Sequence, residues 1–143
     1  METKITKAKE TRETWELVLE LHRLVAEHLS SVAGEFDLRP GQAQALQQLE
    51  PGRALTMGEV ARGIRCDPST ITGIADRLEG LGLVERQAAS ADRRVKTLSL
   101  TPRGEALREK LLARLSQVPA ELSELPPARQ RALRSLLRQT LRA

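Results

Sequence analysis

Cysteine and histidine are scarce in this sequence, with one Cys and two His among 143 residues. A single cysteine cannot form a disulfide within the chain, so no disulfide framework is expected. A tetrahedral zinc site would have to recruit carboxylates, because His22 and His28 are six residues apart on a predicted helix and do not share a face. We therefore predict neither a metal site nor a cofactor.

Enzyme motifs and long apolar runs are absent as well. The sequence has no Gly-x-Ser-x-Gly, no His-Glu-x-x-His and no glycine-rich phosphate loop, so we predict that it is not an enzyme. No apolar run approaches the ~20 residues that span a bilayer, and the polar N-terminus METKITKAKETRE contains no signal-peptide core. These features predict a cytoplasmic protein that does not bind membranes.

The composition is typical of one globular domain with an excess of positive charge. Hydrophobic residues make up 40% and charged residues 29%, and the formal net charge is +4. Nine Lys/Arg and six Asp/Glu lie between Arg53 and Arg103, against fourteen and thirteen in the rest of the chain. The excess is therefore concentrated in the middle third, which favours an acidic partner.

Apolar periodicity predicts a mainly helical protein with few strands. Helices are expected at 11–32, 40–49, 57–64, 68–81 and 102–118, and again beyond Pro127. Gly34 is predicted to end the first helix. Strands at 83–87 and 95–100 are expected to form a two-stranded wing around the 88–94 loop.

A tight turn joins the third and fourth predicted helices. Thr56 and Glu59 fit a capping box at the start of one helix, and Asp67-Pro68 fits the N-cap and first residue of the next. Only three or four residues separate the two helices. This arrangement indicates a helix-turn-helix.

The fourth predicted helix has one apolar and one small polar face. Ile71, Ile74, Ala75, Leu78 and Leu81 share the apolar face. The other face carries Ser69, Thr70, Thr72, Gly73, Asp76 and Arg77. Short polar side chains and a glycine suit a helix that enters the ~12 Å major groove of DNA, whereas the alternative is a solvated face whose Ser and Thr act as caps.

Arg93 and Arg94 lie at the tip of the predicted wing. A wing beside a major-groove helix would reach the adjacent minor groove, whose negative potential attracts arginine. Asp92 is expected to hold Arg94 through a carboxylate–guanidinium pair. Arg62, Arg65, Arg86 and Lys96 are further candidates for DNA contact, the first three through phosphates. The alternative is that the tip is a solvated loop.

The stretch from Leu55 to Leu107 resembles the DNA-binding core of the MarR (multiple antibiotic resistance regulator) family. The motifs that carry the resemblance are Leu55-Thr56, Ser69-Thr70-Ile71-Thr72, Asp76-Arg77-Leu78-Glu79, Gly82-Leu83-Val84-Glu85-Arg86, Asp92-Arg93-Arg94 and Leu100-Thr101-Pro102-Arg103-Gly104. The resemblance implies a winged helix-turn-helix lobe at 53–102 and dimerisation helices at 1–50 and 103–143. It also implies a homodimeric regulator, usually a repressor, with Ser69, Thr70, Thr72 and Arg77 on the recognition helix and Arg94 in the minor groove.

The resemblance further implies a small-molecule inducer, often a phenolic or other anionic aromatic compound. Trp15, Phe36, Thr72 and Arg86 are candidate pocket residues, although Trp15 and Phe36 also fit simple core positions. Cys66 lies in the helix-turn-helix turn, where it is either a buried packing residue or a thiolate with a lowered pKa. The expected partners are double-stranded DNA with an inverted-repeat operator and a second copy of the chain. A winged-helix module that binds protein instead of DNA is the rival hypothesis.

Overall fold

Seven helices and three short strands make up the part of the chain that the structure, a computed structural model, describes: residues 2–89 and 91–142. The elements are α1 (Glu2–Glu35), α2 (Pro40–Gln48), β1 (Leu55–Thr56), α3 (Met57–Ile64), α4 (Pro68–Gly80), β2 (Val84–Ala88), β3 (Lys96–Leu100), α5 (Pro102–Leu115), α6 (Ala120–Ser123) and α7 (Pro127–Leu141). The predicted fold class, a mainly helical winged helix-turn-helix, is confirmed.

The wing belongs to a three-stranded antiparallel sheet with the order β1-β3-β2. β2 and β3 pair as predicted, with Arg86 opposite Leu98, and β1 adds Leu55 opposite Leu98 on the other edge of β3. The prediction of a two-stranded wing therefore missed one strand of the sheet, β1. Two residues are too few to show the alternation that predicts a strand, and Thr56 also serves as the N-cap of α3.

A single apolar core lies where the helix-turn-helix, the sheet, α2, α5 and the end of α1 meet. Its largest fully buried side chains are Leu46, Leu49, Ile71, Leu78, Leu83, Leu98, Leu111, Val32, Val60 and Val84. Only Val32 comes from α1, and none comes from α6 or α7. The core thus supports α4 and the wing, and it leaves most of the terminal helices outside.

Several helix boundaries differ from the sequence prediction. α1 begins nine residues before the expected Thr11, at Glu2. Six of residues 2–10 are Ala, Lys or Glu, which favour a helix, but the segment has no apolar stripe that would predict one. α1 also continues past Gly34 to Glu35, and the chain turns at Asp37, whose φ is 57°. α5 ends at Leu115 instead of Val118, and the four-residue α6 was not predicted.

Two arginines of α5 attach that helix to its neighbours. Arg114 forms a bidentate ion pair with Glu35 at the end of α1, with 2.7 Å between Nε and Oε2. Arg108 Nε donates to the carbonyl of Leu46 at 3.1 Å and so satisfies an open carbonyl at the C-terminus of α2. No helix among residues 2–89 and 91–142 is both long and apolar enough to cross a membrane.

Candidate nucleic-acid interface

The turn of the helix-turn-helix is fixed by capping on both sides. Thr56 and Glu59 form the predicted capping box at α3, with Thr56 N–H donating to Glu59 Oε2 at 2.7 Å. Arg65 ends α3 in the left-handed region at φ 54°. Two residues later Asp67 caps α4. The connection is as short as predicted, so the direction of α4 is set by α3.

Asp67 binds the first turn of α4 through both side-chain oxygens. Oδ1 accepts from the backbone N–H of Ser69 at 3.0 Å and of Thr70 at 2.9 Å, and Oδ2 accepts from the Thr70 hydroxyl at 2.8 Å. The Ser69 hydroxyl also donates to Oδ1. Together these hydrogen bonds hold the pKa of Asp67 well below its usual range, and the bond from the Ser69 hydroxyl contributes most. Asp67, rather than Ser69 or Thr70, is therefore the cap.

The two faces of α4 separate as the sequence predicted. Ile71, Ala75 and Leu78 are buried in the core. The exposed side chains are those of Ser69, Thr70, Thr72, Asp76 and Arg77, together with Gly73. A Cβ atom added at Gly73 would have no heavy atom within 4 Å, so nothing inside the protomer requires a glycine there.

The wing tip presents its cations to solvent. Arg93, Arg94 and Lys96 are all exposed. Asp92 accepts a hydrogen bond from the backbone N–H of Arg94 at 2.9 Å. The predicted carboxylate–guanidinium pair between these two residues is wrong, because the short Asp92 side chain folds onto the turn it belongs to. Ser90, in the same loop, lies outside the described residues.

Arg86 joins the wing to α4. Its Nη2 lies 2.5 Å from Asp76 Oδ1 and its Nε lies 3.9 Å from Glu79 Oε2. The Nε atom is buried and has no hydrogen-bond partner within the described chain. Asp76 and Glu79 were not predicted as partners of Arg86. Nothing in the sequence signals this contact, because it depends on how β2 packs against α4.

A cavity of about 520 Å³ opens between α3, α4 and the wing. Five of the predicted site residues line it, namely Arg62, Thr72, Arg86, Arg94 and Lys96. Cys66, which is half-buried, lies in the same wall. The cavity therefore combines four cationic side chains with a hydroxyl, which is a suitable lining for a small anion.

The remaining predicted residues lie elsewhere. Trp15 is 59% exposed on α1, and Phe36 packs against the core, so neither shares a pocket with Thr72 and Arg86. Arg65 is exposed at the end of α3 and lies outside the cavity lining. The structure thus brings together two of the four candidate pocket residues.

The sequence of this region matches a known family. Residues 38–96 match the sequence profile of the MarR family. Less than half of the chain is matched by this profile, and in that part the chain is similar to the MarR family. The crystal structure of the YusO protein from Bacillus subtilis superposes on this chain with a TM-score of 0.73. The two sequences are 28% identical, and the match covers 95% of this chain and 98% of YusO.

Two further comparisons are informative. The HTH-type transcriptional repressor MdtR of Bacillus subtilis (strain 168) is 39% identical over 74 residues, which is 52% of this chain and 48% of that repressor. The match thus spans about half the length of that relative. The Bordetella bronchiseptica protein BpsR, whose DNA binding is regulated by 6-hydroxynicotinic acid, is 25% identical with a TM-score of 0.69, over 90% of this chain and 92% of that one.

Proposed function

We propose that this chain is a member of the MarR family and a homodimeric regulator of transcription that binds DNA through α4 and the wing. The observation that carries the proposal is the convergence of the exposed small face of α4 and the cations of the wing around one opening of the fold. The alignment with the repressor MdtR supports the same role. We further propose that the protein is a repressor.

The surface of α4 fits the major groove of DNA. The groove is only ~12 Å wide, so a helix whose exposed side chains are short can approach the base edges closely. Thr70 and Thr72 keep their hydroxyl oxygens available as acceptors, since both hydroxyls act as donors within the helix, to Asp67 and to the carbonyl of Pro68. Arg77, on the exposed face of α4, would contact a base edge or a phosphate.

The wing supplies the second contact. Arg94 would enter the minor groove, where a narrow groove strengthens the attraction for a cation, while Arg93 and Lys96 would meet phosphates. The bond between Asp92 and the Arg94 backbone supports this assignment, because it fixes the turn and leaves the guanidinium free. Arg62 would add a phosphate contact. Arg86 is less available, since it already faces two carboxylates.

The terminal helices would form the dimer. Trp15, Leu17, Leu136 and Leu141 are 59%, 66%, 61% and 82% exposed, and α7 makes little contact with the rest of the described chain. Exposed apolar faces of this extent are typical of protein–protein interfaces. A two-fold dimer with one recognition helix per subunit requires an inverted-repeat operator with half-site centres about 10 bp apart.

The cavity between α4 and the wing is our proposed inducer site. Thr72 and Arg62 would bind the carboxylate or phenolate of a small aromatic anion, and Arg86, already paired with Asp76, would line the cavity. The structurally similar BpsR, whose DNA binding is regulated by 6-hydroxynicotinic acid, supports this proposal. Because Thr72 and Arg94 are also proposed DNA contacts, ligand and operator would compete for the same side chains. Binding of the ligand would therefore release the operator.

The test is selection of bound sequences from random DNA, followed by titration of the selected operator at several salt concentrations. We expect an inverted repeat, and an affinity that falls by about 10³–10⁵ between 50 and 200 mM salt if 6–10 phosphates are contacted. Arg94→Ala should weaken binding by about 1–3 kcal/mol and remove the preference for flanking A·T pairs, with an unchanged Tm.

Lys110→Ala is the matched control, because it removes one exposed charge from α5, outside the proposed interface. It should leave the affinity for the selected operator unchanged. Binding that is insensitive to salt, or equal loss in both variants, would contradict the docking model. Either result would favour the rival hypothesis of a winged helix that binds protein.

A further inference from the structure

One side of α1 carries a row of four glutamates, which we term the glutamate stripe. At 3.6 residues per turn the four positions fall within an arc of about 60°. The stripe consists of Glu13, Glu16, Glu20 and Glu27. All four are exposed, and among the described residues only Glu20 has an ion-pair partner, Arg23 on the same helix. Leu17 and Leu24, also exposed, lie along one edge of the stripe.

α7 carries the opposite charge in the same arrangement. Residues 127–142 contain five arginines and no acidic residue. Four of these arginines fall within an arc of about 80° and form what we term the arginine stripe. The stripe consists of Arg131, Arg134, Arg138 and Arg142. All four are exposed and have no ion-pair partner within the described chain. Leu137 and Leu141 lie beside them.

We propose that the glutamate stripe of one protomer docks against the arginine stripe of its partner, so that the pairing of α1 with α7 across the two-fold axis selects a second copy of this chain. This inference rests on the proposed homodimer. Within one protomer the stripes form no ion pair with each other. Pairing α1 with α1, or α7 with α7, over the same faces would bring like charges together, which is unfavourable.

The dimensions of the two stripes are compatible. The glutamate stripe extends over about 21 Å and the arginine stripe over about 17 Å, at 1.5 Å per residue. Leucines border each stripe on one side, so the contact would combine the paired charges with an adjoining apolar seam. Exposed ion pairs are individually weak, whereas charges that flank an apolar helix seam determine partner and orientation. The stripes would therefore set the specificity of the dimer more than its affinity.

The decisive experiment is a charge exchange in the full-length protein. Glu13→Arg/Glu16→Arg/Glu20→Arg reverses one stripe, and Arg131→Glu/Arg134→Glu/Arg138→Glu reverses the other. Each variant alone should dimerise at least tenfold more weakly than the original chain in sedimentation equilibrium. An equimolar mixture should restore a 1:1 heterodimer, together with any helical circular dichroism lost by the separate variants. Failure of the mixture to associate would overturn the proposal.

A neutral variant and a control on the opposite face complete the test. Arg131→Gln/Arg134→Gln/Arg138→Gln should abolish the salt dependence of dimerisation, and retention of that dependence would contradict the pairing. Arg129→Glu, on the other side of α7, should leave dimerisation unchanged, unlike Arg134→Glu. A wild-type chain that is monomeric would refute the homodimer itself. A stable dimer that ignores charge reversal but loses DNA affinity would instead assign the arginine stripe to phosphates.

Discussion

The winged-helix lobe and the terminal helices differ in how they bury their apolar side chains. The lobe shares one core with α2, α5 and the end of α1, and this core region fully buries Leu46, Leu78 and Leu98. Of the twelve large apolar side chains that are exposed in the described chain, eleven lie in α1 or beyond α5, and the exception is Val95 in the wing. The core region therefore closes on itself, whereas most of α1 and the segment beyond α5 leave apolar side chains in solvent, as the proposed dimer requires.

The largest expected effect comes from truncating one leucine in each region. Leu111 is fully buried, so Leu111→Ala should lower the free energy of unfolding by about 2–5 kcal/mol at every protein concentration. Leu136, 61% exposed, contacts solvent in the single protomer. Leu136→Ala should therefore lower the Tm only at concentrations at which the wild-type chain dimerises.

Thermal melts of both variants over a thousandfold range of concentration check this expectation. The Tm difference between Leu136→Ala and the wild type should grow with concentration, whereas that of Leu111→Ala should stay constant. A Tm difference between Leu136→Ala and the wild type that does not change with concentration would mean that α7 packs against its own protomer. The contrast between the two regions would then be wrong.

A smaller and opposite effect is expected at Gly73, in the exposed face of α4. Gly73→Ala should stabilise the fold by about 1 kcal/mol, because alanine is the better helix former and the added methyl group meets no atom of the protein. The same methyl group should weaken operator binding if α4 approaches the bases closely. Urea denaturation and operator titration measure the two effects separately.

Gly34→Ala is the control for Gly73→Ala. Gly34 lies in the last turn of α1, also in open space, and its substitution should raise stability without changing DNA affinity. Equal DNA affinity for Gly73→Ala and the wild type would show that the glycine is not needed for approach to DNA.

The smallest effect concerns Glu35, which connects the end of α1 to α5. The hydrogen bond from Arg114 lowers the pKa of Glu35 below its ordinary value of 4.5. A carboxyl with a lowered pKa contributes stability above its ordinary pKa, and that contribution is lost as the pH falls through the folded value. Glu35→Gln should therefore lower the Tm slightly at pH 7, and the difference should vanish in acid.

Tm measurements between pH 7 and pH 3 check the prediction. Glu109→Gln, which removes an exposed carboxylate from α5, should not reproduce the same pH-dependent difference. A difference that persists unchanged at pH 3 would show that the ion pair does not connect α1 to α5 in solution.

The sequence predicts α4 and its faces well, because local signals are strong there. Asp67-Pro68 marks the start of the helix, and apolar residues recur every three or four positions from Ile71 to Leu78. Local signals are weak at β1, where two residues cannot show alternation, and at residues 2–10, which lack an apolar stripe. Both were missed for that reason.

Contacts between distant residues were predicted least well. The pairing of Arg86 with Asp76 and Glu79 depends on tertiary packing, which a single sequence does not encode in any pattern we could recognise. The separation of Trp15 and Phe36 from Thr72 depends on packing in the same way. The contact between Asp92 and Arg94 was predicted between the right residues but through the wrong atoms, since the carboxylate accepts from the backbone.

In the proposed complex with DNA, the register of β2 and β3, which places Arg86 opposite Leu98, would determine how far the wing reaches. A slip of one residue between β2 and β3 would turn Arg86 to the opposite face and break its connection to α4. A hairpin lengthened by two residues in each strand would keep that connection but move Arg94 outward by about 7 Å, the rise of roughly two base pairs. If Arg94 enters the minor groove as proposed, the number of residues in the wing would set which base step it reads, independently of the bases that α4 contacts.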